Sequence, residues 1–319
     1  MTDVKIADTS FALNSETRAL NKEKQPQAFS GQTGNGDSKK KKKNLHIGTY
    51  TCFLFVFLMI CIPLYVMIVT SLTTEAEAHM AAFHWIPQKG LTLSAYVTAF
   101  TKDTAGPNLL VAFWNSMWIY IPSVAVGIFM GAFAAYSFAK LEFKAKKPLF
   151  ALLISGLTLP NCMGTIASFL MFDTIGWVGT PLPLIVPKML GTVGTVFFLR
   201  QFYLGVPDDL MGAGRVDGLG EFGVFFNIML PISLPALLSQ FILVFISAYN
   251  DYMGPLLYLH NADYYTLTIA ISFFSEAYAQ NWPLQMAGAA IATLPLLLLY
   301  LLSQKFILAG VAISSGLKG

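Results

Sequence analysis

One short stretch, LMGAGRVDGLGEFGVFFNIMLP at 210–231, combines three charged residues with five glycines. Arg215, Asp217 and Glu221 sit there among glycines, between segments that are otherwise apolar. Asp208 and Asp209 stand just before it, behind Pro207. No nucleophile, histidine base or metal-ligand set accompanies them. The chemistry on offer is therefore docking, through ion pairs, helix-end dipoles and close backbone approach. Elsewhere the polar candidates are sparse. Lys188 lies inside the apolar run PLPLIVPKML, where a charge is costly and is often functional. Three readings stand: it faces a pathway and attracts an anionic solute, it snorkels to the surface, or it pairs with Asp173 or Asp251. Asn250 and Asp251, in YNDYMG, are candidates for a gate or an external contact.

Several chemistries are excluded. The histidines at 46, 79, 84 and 260 are scattered, and His79 with His84 lacks a ligand set, so no metal is expected. The cysteines at 52, 61 and 162 fall in apolar runs and read as packing residues. No G-x-x-x-x-G-K-[ST] occurs, so this chain cannot cradle nucleotide phosphates by the P-loop route. If ATP drives its work, another chain hydrolyses it. No bound cofactor and no nucleic-acid partner is expected.

The elements that must position these residues follow from composition. The 319 residues are 55% hydrophobic and 12% charged, with mean hydropathy +0.60. Water-soluble domains carry about a quarter charged residues, so the solvent here is a bilayer. Crossing it takes about 20 apolar residues per helix. Six candidate spans lie near 48–71, 110–139, 149–172, 182–203, 228–249 and 284–306. The fold expected is an all-α integral membrane protein with six transmembrane helices over residues 45–319. Glycines 127 and 131 and Pro122 in the second span are tolerable in a membrane helix.

Residues 1–44 differ. They are polar, end on KKKKK at 39–43, and read as a disordered basic tail. Ala76-Glu77-Ala78 imitates a cleavage site, but the preceding apolar run exceeds the roughly 7–15 residues of a signal peptide, so an uncleaved first span is expected. Lys and Arg then set orientation. The lysine run, Lys140, Lys144, Lys146, Lys147, Arg200, Arg215, Lys305 and Lys318 fall on one side; Lys89 and Lys102 fall on the other. Both termini, the 140–148 loop and the 204–227 loop are thus expected in the cytoplasm. The lysine run either fixes topology or binds anionic membrane lipid.

The charged stretch itself suits a short helix outside the bilayer. Pro207 breaks the span before it, and Asp208 or Asp209 can cap its amides. Gly218 fits the left-handed position that ends it, and Phe222, Phe225, Phe226 and Met229 restart the chain at helical spacing. Gly212 and Gly214 weaken such a helix by about 1 kcal/mol each relative to alanine. That is tolerable where small residues let another surface approach. A plain connecting loop is the competing reading.

These residues resemble a known family. The cytoplasmic loop signature of binding-protein-dependent ABC importer permeases is EAA, three residues, G, nine residues, then I-x-L-P. Here Gly212-Ala213-Gly214 is followed by RVD, Gly218, nine residues and Ile228-Met229-Leu230-Pro231. FWNSMWIY (113–120) with AAYSFAKLEF (134–143) resembles the family's N-S and A-A-Y-x-x-A-R-x-x-F block, with Lys140 in the arginine's place. FFLRQFYLGVPDDL (197–210) is similar to the approach to the loop, YNDYMGPLLYL (249–259) to W-N-x-x-x-x-P-L, and SGLKG (315–319) to a terminal G-x-x-K-G. The likeness covers roughly residues 48–319 and is greatest with the maltose-type, MalG-like carbohydrate branch.

The resemblance implies the type I ABC importer permease fold, with the loop as a coupling helix docked in a cleft of a separate ATPase. ATPase closure would rock two permeases between inward-open and outward-open states. On this chain the coupling residues are Asp209, Gly212, Ala213, Gly214, Arg215, Asp217, Gly218, Glu221 and Pro231; Lys188, Asn250 and Asp251 are the path or gate candidates. Gly212 replaces the motif's acid and Gly214 its second alanine, so the acid's ion pair cannot form; Asp209 or Glu221 would substitute, or packing and backbone carry the contact. The implied partners are a second permease, as a heterodimer, two ATPase subunits and an extracytoplasmic solute-binding protein meeting the 72–109 and 250–283 loops. The implied place is a bacterial inner membrane, and the implied cargo a sugar or oligosaccharide. The alternatives are an ABC importer permease for a non-sugar solute and an ion-coupled secondary transporter; the latter would need buried acids and inverted repeats, and the spans offer almost no buried acid and no repeat.

Overall fold

The computed structural model describes residues 47–80, 85–101, 107–158 and 161–316, all helix, turn or loop. The expected basic tail 1–44, His84 and Lys102 lie outside them. The chain divides into two units, 1–54 and 55–319. Within the first, the described residues are the opening turns of helix α1 (Ile47–Ser71). The rest of α1 and every other element belong to the second.

After α1 and a single helical turn at Glu75–Ala78 come α2 (Ser94–Phe100), α3 (Leu109–Lys140), α4 (Lys146–Ser155) and α5 (Asn161–Thr174). Then follow α6 (Leu182–Met189), α7 (Val193–Leu204), α8 (Asp208–Val216) and α9 (Glu221–Val224). A π-helical turn, Phe225–Met229, joins α9 to Leu230–Ile232, and α10 (Leu234–Tyr249), α11 (Met253–Tyr258), α12 (Leu267–Ala277) and α13 (Trp282–Gly316) complete the chain.

The core is organised around α3. Its start is fixed by Asn108, whose side-chain oxygen accepts from the amides of Leu110 and Val111 at 3.0 and 3.2 Å. Its buried stripe is mostly small: Ala112, Ser116, Ser123, Gly127, Gly131, Ala132, Ala135 and Ala139. Small residues let helix backbones meet where lipid supplies no hydrophobic drive. At Gly127 the approach is so close that a Cβ would overlap the Lys188 carbonyl oxygen. The glycines here are thus packing positions, beyond being tolerated breaks. α6, α7, α10 and α12 pack along α3.

Among the described residues four helices are long and apolar enough to cross a membrane, and six spans are reached when each of two bent pairs counts as one. The third and fifth spans expected from sequence correspond to those two bent pairs. Residues 146–158 and 163–174 meet at 103°, where α4 runs into a 3-10 turn at Gly156–Thr158. Residues 221–232 and 234–249 meet at 73°. Pro231 and Pro235 flank that second bend and lack the amide a continuous helix needs. The 250–283 region, expected as a loop, carries α11 and α12, and Leu267, Ile269, Ala270 and Phe274 of α12 are buried. Its eleven residues are too few for a span, which is why counting long apolar runs passed over it.

Candidate coupling site

Helix α8 occupies the centre of the charged stretch. Its C-terminal turn closes as a Schellman motif: the Gly218 amide donates to the Arg215 carbonyl (3.1 Å) and the Leu219 amide to the Gly214 carbonyl (3.0 Å). Gly218 takes φ +87°, a left-handed conformation that L side chains resist. This is the geometry that the sequence reading placed at Gly218.

The N-terminus differs from expectation. Pro207 is the capping residue, and neither Asp208 nor Asp209 caps by its side chain. Asp208 is instead held by Lys140: Nζ donates to its Oδ1 at 2.7 Å and to the Val206 carbonyl at 2.6 Å. The Lys140 hydrogen bond and charge hold the Asp208 carboxyl below its ordinary value. Asp209 stays exposed on the first turn.

At the other end, Arg215 is tied to Glu221, Nε to Oε1 at 2.9 Å and Nη2 to Oε2 at 3.3 Å. Tyr136 of α3 donates its hydroxyl to Glu221 Oε2 at 2.9 Å. Glu221 is therefore engaged inside this chain, as Asp208 is by Lys140, which leaves Asp209 and Asp217 as the exposed acids of the α8 region outside the described ion pairs. The glycines also divide. A Cβ on Gly214 would lie 2.5 Å from Ile228 Cδ1, whereas one on Gly212 would meet nothing within 4 Å. The approaching surface at Gly214 is this chain's own α9–α10 connection, and only Gly212 keeps room beside it. Ala213, Val216 and Phe222 are exposed, Val216 to 89%. Pro231 lies away from α8, at the 73° bend.

Below α8 lies an aromatic layer. Phe133 and Tyr136 of α3 each set their rings 5.3 Å from that of Phe225. The π-turn buries Phe225 and Met229 while Phe222 and Phe226 stay exposed, a division regular helical spacing alone does not yield.

The second group of candidates gathers elsewhere on α3. Lys188 Nζ lies 3.7 Å from Asp251 Oδ2 and 5.6 Å from the centre of the Tyr120 ring. Of the three sequence readings, pairing with Asp251 is the one the coordinates display. Asp251 also accepts from the Gly254 amide at 3.1 Å and so begins α11. Asn250 bonds back to the Ile246 carbonyl and borders a cavity of about 320 Å³ with Tyr249, Thr268 and Thr293. A larger groove of about 790 Å³ runs between α5 and α11, lined by Thr165, Ser168, Met253, Leu257 and Tyr258.

Two residues that the sequence assigns only to the family's N-S block turn out to hold a distant segment in place. Asn115 donates to the carbonyls of Asp263 (2.7 Å) and Tyr265 (3.1 Å), and the Ser116 hydroxyl accepts the buried Leu267 amide at 2.8 Å. Together they fasten the segment before α12 onto α3. An adjacent Asn and Ser inside an apolar span was the available signal.

Residues 124–312 match the family described as "Binding-protein-dependent transport system inner membrane component". The chain belongs to that family. This permease is 32% identical to the arabinooligosaccharides transport system permease protein AraQ of Halalkalibacterium halodurans, over 72% of this chain and 80% of the relative. It is 30% identical to the melibiose/raffinose/stachyose import permease protein MelC of Bacillus subtilis, over 81% of this chain and 91% of the relative. Its fold is shared with a bacterial ABC transporter involved in the import of the acidic polysaccharide alginate, with TM-score 0.70, 16% identity, and coverage of 81% of this chain and 95% of the other. The permease is thus an integral membrane transport subunit and not an enzyme, and it works with other ABC subunits. The secondary-transporter reading falls.

Proposed function

We propose that the permease moves a sugar or oligosaccharide across a bacterial inner membrane, driven by a separate ATPase that docks on residues 208–222. The observation that carries the docking reading is α8 itself. It is a short helix with Asp209, Ala213, Val216 and Asp217 exposed, closed by the Gly218 turn and held at both ends by the chain's own ion pairs. A rigid, partly apolar knob suits insertion into a cleft. With Glu221 engaged, Asp209 replaces the missing acid of the motif.

The charge bias of the flanks supports placing both termini and α8 in the cytoplasm. ATP is then bound and hydrolysed by two ATPase subunits, and this chain binds no cofactor. A second permease completes a heterodimer, and an extracytoplasmic solute-binding protein meets the 72–109 and 250–283 regions. The exposed apolar residues of α1, among them Phe55, Phe57 and Met59, suit contact with lipid. The carbohydrate cargo is supported by the names of the relatives and by the α5–α11 groove. Its hydroxyls beside Met253 and Leu257 match a ligand with polar edges and C–H faces. Lys188, Asn250 and Asp251 form the gate, with the Lys188 charge directed to Asp251.

The test is purification of the tagged permease with its associated subunits, followed by uptake into vesicles with and without internal ATP. A P-loop ATPase in the eluate and ATP-dependent uptake of a labelled oligosaccharide are expected. Uptake by the purified chain alone, or labelling of 208–222 from the outer side, would overturn the reading.

A further inference from the structure

We propose that Lys140 and Tyr136 are positioning residues that make α3 the lever through which α8 acts on the opposite half of the protein. The proposal rests on the docking reading above and goes beyond it. It names the element to which the docking helix is fastened.

The geometry is a two-point grip. Lys140, the last residue of α3, has a side chain only 5% exposed, and it donates to Asp208 and to the Val206 carbonyl at 2.7 and 2.6 Å. A cation at a helix C-terminus also faces the negative end of the macrodipole. One turn back, Tyr136 reaches Glu221 at 2.9 Å, and Glu221 holds Arg215 in the last turn of α8. The two ends of α8 are therefore bound to residues four apart on a single face of one helix. Phe133, one turn further, continues that face onto Phe225. Charge-assisted bonds to a fixed face resist sliding better than apolar contact does.

The far end of the same helix is fastened as firmly. Asn115 and Ser116 hold residues 263–267, and Tyr120 lies beneath Lys188, which pairs with Asp251. At 32 residues α3 is about 48 Å long. A displacement of α8 is thus delivered along one continuous helix, through Pro122, to the group that borders the α11–α12 region. Coupling of this kind needs a two-state element that both sites bias, and the grip identifies which one.

The experiment needs no knowledge of the cargo. The native cysteines at 52, 61 and 162 are replaced by serine, and Trp114→Cys, exposed near the start of α3, reports its far end through reaction with a membrane-impermeant maleimide. In the assembled importer, ATP with vanadate is expected to change the labelling rate by about fivefold. K140M with Y136F is expected to abolish that change while ATP hydrolysis and ATPase retention persist, and K140R with Tyr136 intact is expected to keep it. An ATP response that survives K140M/Y136F overturns the proposal. So does an absent response in the reference protein, or loss of the ATPase from the double variant alone, which would make the grip a support for docking only. Failure of the reference protein itself to retain an ATPase overturns the docking reading instead.

Discussion

Lys140 ends α3 and Asp208 begins α8; 68 positions separate them, yet nitrogen and carboxylate oxygen stand 2.7 Å apart. The same lysine takes the Val206 carbonyl, which Pro207 follows. A basic residue that sequence reading counts toward topology thus also orders the approach to the docking helix.

That pair has a defined pH behaviour. Lys140 depresses the Asp208 carboxyl below its ordinary 3.8, so the contribution is present above that value and is lost as pH falls through the lower folded value. Between about pH 5 and 8 the Asp208 carboxylate stays ionised. Coupling of ATP hydrolysis to uptake should therefore show no titration assignable to Asp208 in that range, and Asp208→Asn should leave the shape of the pH profile unchanged. A carboxylate step in the wild-type profile that vanishes in Asp208→Asn would contradict this.

Gly218→Val forces a branched side chain into φ +87°. Nothing lies within 4 Å of a Cβ there, so the penalty is backbone strain alone, about 1–2 kcal/mol. The variant should reach the membrane at normal levels and yet lose uptake relative to ATP hydrolysis, with Gly218→Asn milder. Normal uptake together with ATPase co-purification from Gly218→Val would refute a role for this turn in docking.

Gly214→Ala presses on Ile228, whose Cδ1 lies 2.5 Å from the new Cβ. Overpacking of this kind costs about 1–3 kcal/mol, partly offset by the roughly 1 kcal/mol that alanine gains over glycine in a helix. Ile228→Val removes the obstructing methyl, so the two substitutions should be coupled by about 1 kcal/mol in a double-mutant cycle of thermal stability. Strict additivity would show that α8 does not rest on Ile228.

Ser116→Ala leaves the buried Leu267 amide without its acceptor, at a cost of about 1–3 kcal/mol. Hydrogen exchange at Leu267 should accelerate, and limited proteolysis should open within 259–266 before the rest of the chain. Unchanged exchange at that amide would show that Ser116 does not hold α12.

Lys188→Met removes the partner of Asp251. Both side chains are about a quarter to a third exposed and 3.7 Å apart, so solvent screening limits their coupling to about 1 kcal/mol or less. Uptake should fall in Lys188→Met and recover in part when Asp251→Asn is added. Unchanged uptake in the single variant would remove Lys188 from the pathway and gate.

Composition, hydropathy and punctuation were enough to establish the membrane class and the helix and left-handed turn around Gly218, and resemblance to the family supplied the order of its blocks. Each depends on residues near one another along the chain: apolar runs of span length, a proline before two acids, a glycine just past the last turn. What local pattern could not hold is the pairing of distant residues. Glu221 reads as a free acid until Tyr136, 85 positions earlier, is seen against it. Asn115 and Ser116 read as an N-S block without partners until the 263–267 segment arrives, about 150 positions later. Gly214 reads as room for a visitor until Ile228 fills it. The bend after residue 232 falls where Pro231 and Pro235 each lack an amide, but its angle depends on the helices packed alongside. Periodicity is a property of one element, whereas the partners of a buried charge or amide are chosen by which elements close packing brings together.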